Sequence, residues 1–136
     1  MAVYFSSTPK SGKELEAMLE FALLNFNSPV AIRYPRGQAY DGLEDYNTLV
    51  KYGKAEMIIE ESDIALVAIG NMLITALAVR DKLKEKGYNI TIVNERFIKP
   101  VDTDMLERLS ESSAKKKVVF IDEMPWMDTP RSKFVT

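Results

Sequence analysis

Residues 64–71 read IALVAIGN, an uninterrupted apolar run that ends in Gly70 and Asn71. A strand that is apolar at every position is typical of a central strand covered on both faces. Gly70 permits a tight turn, and the residues after it predict a helix over 72–86 with Gly87 as its C-cap. The sequence therefore predicts a buried strand that leads directly into a helix.

The same alternation continues toward the carboxyl terminus. Residues 89–94 and 118–121 predict two more strands, and residues 102–112 predict a helix. Residues 95–101 predict a loop, and residues 113–117 predict a basic turn. Strands that alternate with helices indicate an α/β fold with a mostly parallel sheet.

Upstream of residue 64 the pattern changes. Residues 55–60 predict a strand only three residues away from the next one, which favours an antiparallel hairpin and gives the sheet one antiparallel edge strand. Residues 38–53 show no period and predict a linker or domain boundary. The first 37 residues predict a strand at 2–5, an amphipathic helix at 13–26 and a strand at 30–34.

The composition excludes several classes of site. The 136 residues include no cysteine and no histidine, which removes disulfides, thiolate nucleophiles, Cys- or His-ligated metals and every Ser-His-Asp arrangement. A formal net charge of −2 gives no overall positive field for nucleic acid or an anionic membrane. Because no apolar run approaches the roughly 20 residues of a membrane span and the first residues lack the order of a secretion signal, we expect a cytoplasmic protein without membrane or nucleic-acid partners.

Polar groups follow the predicted strands at the ends where ligands bind in open α/β sheets. They are Arg33 with Arg36, Gly70 with Asn71, Arg96 with Lys99, and Asp122 with Glu123. Arginine offers a planar fork of donors that matches a phosphate, and a helix N-terminus offers free N–H groups and a partial positive charge. Three of the four groups therefore suit an anion, and a phosphorylated sugar would fit them.

A second interpretation of the same residues is structural. The three arginines would pair with nearby carboxylates, since surface arginines are ordinarily solvated or paired, and Gly70 would only make a tight turn. Asp122 and Glu123 would form a solvated turn instead of an acid/base pair, because such work needs a shifted pKa. We predict no catalytic residue and no metal ligand in the chain.

Four segments together resemble a known family. They are PVAIRYPRG at 29–37, YGKAE at 52–56, AIGNM at 68–72 and VNERFIKPVD at 93–102. In that order they are similar to the carboxyl-terminal part of the 1-deoxy-D-xylulose-5-phosphate synthases, which belong to the thiamine-diphosphate-dependent transketolase superfamily. The resemblance covers about residues 1–123.

The resemblance implies a domain organisation and a set of site residues. Residues 1–37 would be the tail of a pyrimidine-binding domain, 38–53 a linker and 54–136 a transketolase carboxyl-terminal domain. It implies that Arg33 and Arg96 hold the phosphate of the aldehyde substrate, with a lesser role for Arg36. The positions of Tyr34, Lys99 and Asp102 match the family motifs, and we expect structural roles for them.

The resemblance also implies a parent reaction. The complete enzyme uses thiamine diphosphate and Mg²⁺ to decarboxylate pyruvate and join the two-carbon fragment to glyceraldehyde 3-phosphate, a transferase step that feeds isoprenoid synthesis. The family's cofactor site, catalytic histidines and activating glutamate match nothing in this sequence. We therefore expect the chain to bind no cofactor alone, to be inactive alone, and to work with its own copy in a homodimer or with the missing domains.

Two further expectations concern the carboxyl terminus and the alternatives. Residues 124–131 read MPWMDTPR, whereas the family has a glycine-rich stretch at this place. The difference is what we expect of a truncated or degenerate carboxyl terminus. A non-catalytic interaction or assembly module is one alternative function. Another is a partner subunit of a transketolase or of a complex that contains a pyruvate-dehydrogenase E1-β-type chain.

Overall fold

A computed structural model describes residues 3–34, 43, 45–46, 48–111 and 117–122. Within these residues the strands are β1 (Ser6–Ser7), β2 (Ala31–Ile32), β3 (Glu56–Ile59), β4 (Ile64–Ala68), β5 (Ile90–Asn94), β6 (Phe97–Lys99) and β7 (Lys117–Ile121). The helices are α1 (Gly12–Asn25), α2 (Met72–Glu85) and α3 (Thr103–Glu111). None of these three helices has the length and apolar character that a membrane crossing requires.

Each helix begins or ends at a residue whose chemistry fixes the boundary. The Ser11 hydroxyl caps α1 by accepting a hydrogen bond from the Glu14 amide at 3.2 Å. The Asp102 carboxylate accepts from the Met105 amide at 3.0 Å and so caps α3. Gly87 follows α2 with φ +92°, a left-handed conformation that glycine adopts without a steric penalty. The predicted helices are therefore confirmed to within one or two residues.

The larger sheet has the strand order β3-β5-β4-β7. β4 is parallel to both β5 and β7, whereas β3 is antiparallel to β5 at one edge. The expected mostly parallel sheet with one antiparallel edge strand is confirmed.

The predicted hairpin between β3 and β4 is wrong, because β5 lies between them. The connecting residues cross the start of β5 instead of turning back beside β3. There the Asp63 amide donates to the Asn89 carbonyl at 2.9 Å, and the Glu61 amide donates to the Thr91 hydroxyl at 2.8 Å. An apolar β4 that takes a parallel partner on both sides leaves no edge for β3.

A smaller sheet has the order β2-β1-β6, with β1 parallel to β2 and antiparallel to β6. The prediction of a loop over 95–101 is therefore wrong for Phe97–Lys99, which pairs with β1 across a long stretch of sequence. The strand expected at 2–5 lies instead at Ser6–Ser7, because the backbone of these two residues pairs with β2 on one side and β6 on the other.

Within the described part of the chain this arrangement produces three apolar cores. Alternate residues of β4 face α2 on one side and α3 on the other, so the larger sheet is covered on both faces. The third core lies under the smaller sheet and consists of Phe5, Met18, Ala22, Val50 and Phe97. Phe5, Met18 and Ala22 belong to the amino-terminal segment, whereas Val50 and Phe97 follow it in the sequence. This third core therefore joins the amino-terminal segment to the rest of the chain.

Candidate functional site

Three of the residues predicted to form an anion site lie around the carboxyl end of β1. The Arg33 amide donates to the Ser7 carbonyl at 2.9 Å, and the Thr8 amide donates to the Arg96 carbonyl at 2.7 Å. Gly70 approaches the same point, since a Cβ added to it would lie 2.6 Å from the Thr8 Cγ2 atom. The backbone at Arg33, Gly70 and Arg96 therefore meets at one place, although 63 positions separate the first from the last.

The hydroxyl groups at this point are unused. Among the described residues, the Ser7 Oγ and Thr8 Oγ1 atoms are buried and have no hydrogen-bond partner. A buried polar atom without a partner is costly, and such atoms concentrate where a ligand or a water binds. The end of β1 therefore carries two buried hydroxyl groups close to the backbone of Arg33 and Arg96.

The remaining predicted residues are placed as follows. Arg33 and Tyr34 are exposed, and Arg36 lies outside the described residues. The Lys99 ammonium donates to the Val3 carbonyl at 2.8 Å, a contact that fits its expected structural role. Asp122 is half-buried at the end of β7, and Glu123 lies outside the described residues, so the structure does not describe that pair together.

Gly70 and Asn71 form a tight connection between β4 and α2. Gly70 has φ +59°, which favours glycine, and the Thr8 side chain leaves no room for a Cβ atom. The Met72 amide donates to the Ile69 carbonyl at 3.2 Å, and the Leu73 amide donates to the Gly70 carbonyl at 3.1 Å. These first amides of α2 are thus already paired, and anion binding by Gly70 and Asn71 stays a prediction.

The Arg96 side chain is only 3% exposed and is surrounded by acceptors. Its Nε donates to Glu14 Oε2 at 3.0 Å, and its Nη2 donates to Glu56 Oε2 at 3.1 Å. Nη2 and Nη1 also donate to the carbonyls of Thr48 and Leu49, at 2.8 and 3.1 Å. Arg96 is therefore paired with carboxylates, as the structural interpretation expects, and its contact with a phosphate stays a prediction.

Arg96 belongs to a buried charge cluster with Lys10, Glu14, Glu56 and Asn94. The Lys10 ammonium donates to Glu14 Oε2 at 2.8 Å and to Glu56 Oε1 at 2.9 Å. The Asn94 amide donates to both carboxylates at 3.1 Å. Two cations thus balance two carboxylates in a place that water hardly reaches.

Glu56 is held in its charged form within the cluster. Burial by itself raises the pKa of the Glu56 carboxyl, but the hydrogen bonds and charges of Lys10, Arg96, Asn94 and Thr48 outweigh it and hold the pKa below its ordinary value. Glu56 is therefore a carboxylate at neutral pH, and its stabilising contribution is lost only as the pH falls through that lowered pKa.

Sequence reasoning missed four of the five cluster members. Glu14 had a local signal. It follows Ser11 by three residues, which is the spacing of a capping box. In the structure the Glu14 carboxylate instead accepts from the Lys10 amide at 2.9 Å and reaches the cluster. Glu56 and Asn94 carry no such signal, since their partners come from distant parts of the chain.

A groove of about 550 Å³ opens beside Arg96. Its lining includes Lys51, Lys54, Asp104 and Arg108. The Lys54 ammonium pairs with Asp104 at 2.7 Å, and Arg108 pairs with Glu60 outside the groove at 2.7 Å. A ligand that reached Arg96 through this groove would have to compete with these ion pairs.

Glu95 is a second partly buried carboxyl group near the site. Its amide donates to the Ala68 carbonyl at 2.9 Å, which places it beside the end of β4. Burial, with a smaller contribution from the charge of Asp102, raises the pKa of the Glu95 carboxyl to about 7. The folded protein therefore favours the protonated form of this side chain.

The raised pKa of Glu95 predicts that stability falls as the pH rises from about 5 to about 8. The unfolded chain releases this proton near pH 4.5 and the folded chain near pH 7, so deprotonation costs the folded state roughly 3 kcal/mol. Urea denaturation at several pH values measures this slope. Glu95→Gln should flatten it, whereas the exposed Glu16→Gln should not, and a stability that stays constant or rises over this range would contradict the assignment.

Comparison with known proteins identifies the relatives of this chain. A 1-deoxy-D-xylulose-5-phosphate synthase of Lachnoclostridium phytofermentans is 49% identical over 104 residues, which cover 76% of this chain and 16% of the relative. The synthase of the same name from Halothermothrix orenii is 35% identical over 118 residues, covering 85% of this chain and 18% of the relative. The chain thus spans about a sixth of the length of the curated relatives it matches.

Solved structures agree on the fold. A split-gene transketolase, described as an inactive beta4 tetramer, superposes with a TM-score of 0.76 at 24% identity over 88% of this chain and 38% of that one. A transketolase variant from Pichia stipitis superposes with a TM-score of 0.68 at 18% identity, over 88% of this chain and 18% of that one. Residues 53–126, more than half of the sequence, match the family described as the transketolase C-terminal domain, and the chain belongs to that family.

Proposed function

We propose that this chain is the carboxyl-terminal part of a 1-deoxy-D-xylulose-5-phosphate synthase and that it contributes the binding of the substrate phosphate. The named relatives, 35–49% identical over most of the chain, support this assignment. In the proposed division, residues 1–37 are the tail of a pyrimidine-binding domain, 38–53 a linker and 54–136 the carboxyl-terminal domain.

The observation that carries the proposal is that the backbone at Arg33, Gly70 and Arg96 meets at the end of β1. Two buried hydroxyl groups without partners, those of Ser7 and Thr8, lie at the same place. A phosphate needs several donors that converge on one point, and arginine, backbone amides and hydroxyls are the groups that supply them.

The arginines differ in what they are free to do. Arg33 is exposed, so we propose that its side chain contacts the phosphate directly, with a lesser role for Arg36. The Arg96 guanidinium already donates to two carboxylates and two carbonyls. A phosphate contact by Arg96 would require part of that arrangement to open.

For the complete enzyme we propose the transfer of a two-carbon fragment from pyruvate to glyceraldehyde 3-phosphate, with thiamine diphosphate and Mg²⁺ as cofactors and a homodimer as the assembly. Thiamine diphosphate supplies the carbanion chemistry of such transfers. Among the described residues there is no cluster of three acidic side chains that could hold a metal ion. To this chain we assign a part in substrate binding.

The proposal predicts phosphate-dependent binding of glyceraldehyde 3-phosphate to this chain. In a nitrogen-15 NMR titration we expect saturable shifts of the Thr8, Arg33 and Gly70 amides, because all three surround the end of β1. Glyceraldehyde without the phosphate should cause none. Arg33→Gln should weaken binding roughly 10- to 100-fold, as expected for the loss of a hydrogen bond to a charged group.

A matched control is Lys82→Gln, which removes an exposed cation at the opposite end of α2 from Gly70. It should leave the affinity unchanged. Equal shifts with both aldehydes, or an affinity that Arg33→Gln leaves unaltered, would overturn phosphate binding at this place.

A second candidate function is an assembly module. Leu23 and Leu24 at the end of α1 are 81% and 75% exposed, which favours a protein partner over this helix. Binding of a partner chain together with indifference to glyceraldehyde 3-phosphate would support this second candidate.

A further inference from the structure

The buried charge cluster joins residues that lie far apart in the sequence. Lys10 and Glu14 lie at the start of α1, whereas Glu56, Asn94 and Arg96 come from the larger sheet and the turn after it. The Lys10–Glu56 contact at 2.9 Å and the Arg96–Glu14 contact at 3.0 Å cross between the two groups. Because the charges balance, the loss of one leaves an uncompensated charge buried in the cluster.

Arg96 has an unusual backbone conformation, and its side chain is held by the buried charge cluster. Its φ of +60° is in the left-handed region, and the Phe97 amide donates to the Glu95 carbonyl at 2.6 Å across it. A residue with a Cβ atom pays a penalty there and keeps this conformation only where its surroundings fix it. The guanidinium contacts with Glu14 and Glu56 provide that fixation.

In this conformation the carbonyl oxygen of Arg96 faces β1. That carbonyl accepts from the Thr8 amide at 2.7 Å, and the neighbouring Ser7 carbonyl accepts from the Arg33 amide at 2.9 Å. β1 has only two residues, and these two hydrogen bonds add to its pairing with β2 and β6. A continuous path of contacts therefore runs from the Glu14 carboxylate through Arg96 and β1 to Arg33.

We infer that the buried charge cluster is a positioning device: through Glu14 and Arg96 it locks β1 between its neighbouring strands and thereby fixes the place of Arg33. As a contribution to phosphate binding this inference rests on the proposed function. The locking of β1 does not, because it concerns only the contacts within this chain.

Amide hydrogen exchange of the full chain, followed residue by residue by NMR, tests the inference. In Glu14→Gln the Thr8 and Arg33 amides should exchange at least about 10-fold faster than before, relative to the Ile92 amide in the middle of the larger sheet. The control Glu16→Gln removes an exposed carboxylate from the same helix and should leave that ratio unchanged.

Thr48→Val provides a milder test should Glu14→Gln fail to fold. The exposed Thr48 hydroxyl donates to Glu56 Oε2 at 2.8 Å, so its loss weakens the cluster without removing a charge. A smaller acceleration confined to Thr8 and Arg33 supports the inference. Unchanged exchange in a folded Glu14→Gln overturns the inference, and so does unchanged exchange in Thr48→Val where Glu14→Gln does not fold. An acceleration spread equally over Ile92 overturns it as well.

The outcome is independent of the proposed function. If the unsubstituted chain binds no glyceraldehyde 3-phosphate but Glu14→Gln accelerates exchange at Thr8 and Arg33, the proposed function fails and the positioning role stands. If the chain binds the ligand and the exchange ratio does not respond, the phosphate site stands and the positioning role is rejected.

Discussion

Arg96→Gln is expected to lower the free energy of unfolding by about 3–5 kcal/mol, as removal of one partner from a buried ion pair does. The change leaves Lys10 as the single cation between the Glu14 and Glu56 carboxylates, whose side chains are at most 1% exposed. It also removes donors from the Thr48 and Leu49 carbonyls. Urea denaturation followed by circular dichroism measures the loss.

The matched control is Arg33→Gln, which removes the same charge from an exposed position beside the same strand. Its free energy of unfolding should stay within about 0.5 kcal/mol of the unsubstituted chain. A loss of less than about 1 kcal/mol in Arg96→Gln would contradict the role of Arg96 in the buried charge cluster.

Phe97→Ala is expected to destabilise the chain by a similar amount, about 3–5 kcal/mol. The Phe97 ring is fully buried and packs edge to face on Phe5, with 5.4 Å between the ring centroids. The centroid of the Phe97 ring also lies 6.3 Å from the centroid of the Tyr52 ring. The truncation therefore opens a cavity in the core that joins the amino-terminal segment to the rest of the chain.

Tyr88→Ala serves as the comparison, because this aromatic side chain is about half exposed after α2. We expect a loss below about 1 kcal/mol for it. If Phe97→Ala cost no more than Tyr88→Ala, the amino-terminal segment would not depend on the core beneath the smaller sheet.

The larger sheet was predictable from local pattern. The apolar run at 64–69 needs cover on both faces, and a helix must return the chain before a parallel strand can follow, so β4, α2 and β5 are evident from periodicity alone. The hairpin prediction failed because a three-residue spacing cannot reveal that β5 inserts between β3 and β4. Loop length limits how strands connect but does not determine which strands pair.

The smaller sheet could not be predicted, because its pairing is not local. Phe97–Lys99 contains strand-forming residues but is only three residues long and precedes Pro100, so no periodic pattern marks it as a strand. It becomes β6 only where β1 offers an edge. In the same way, the sequence indicates that Arg33 and Arg96 follow predicted strands. It gives no sign that the Arg96 side chain pairs with Glu14 and Glu56. Which arginine is exposed depends on contacts 40 and 82 positions apart.

Arg96 joins the two parts of the chain through its contact with Glu14, and a double-mutant cycle measures the coupling between these two residues. Glu14→Gln, Arg96→Gln and the double variant are compared by urea denaturation, with an osmolyte added to keep every variant folded at low urea. We predict that the double variant loses less free energy of unfolding than the two single variants lose together. The difference should exceed about 1 kcal/mol, as expected of residues in direct contact. Losses that add to within about 0.5 kcal/mol would contradict the account.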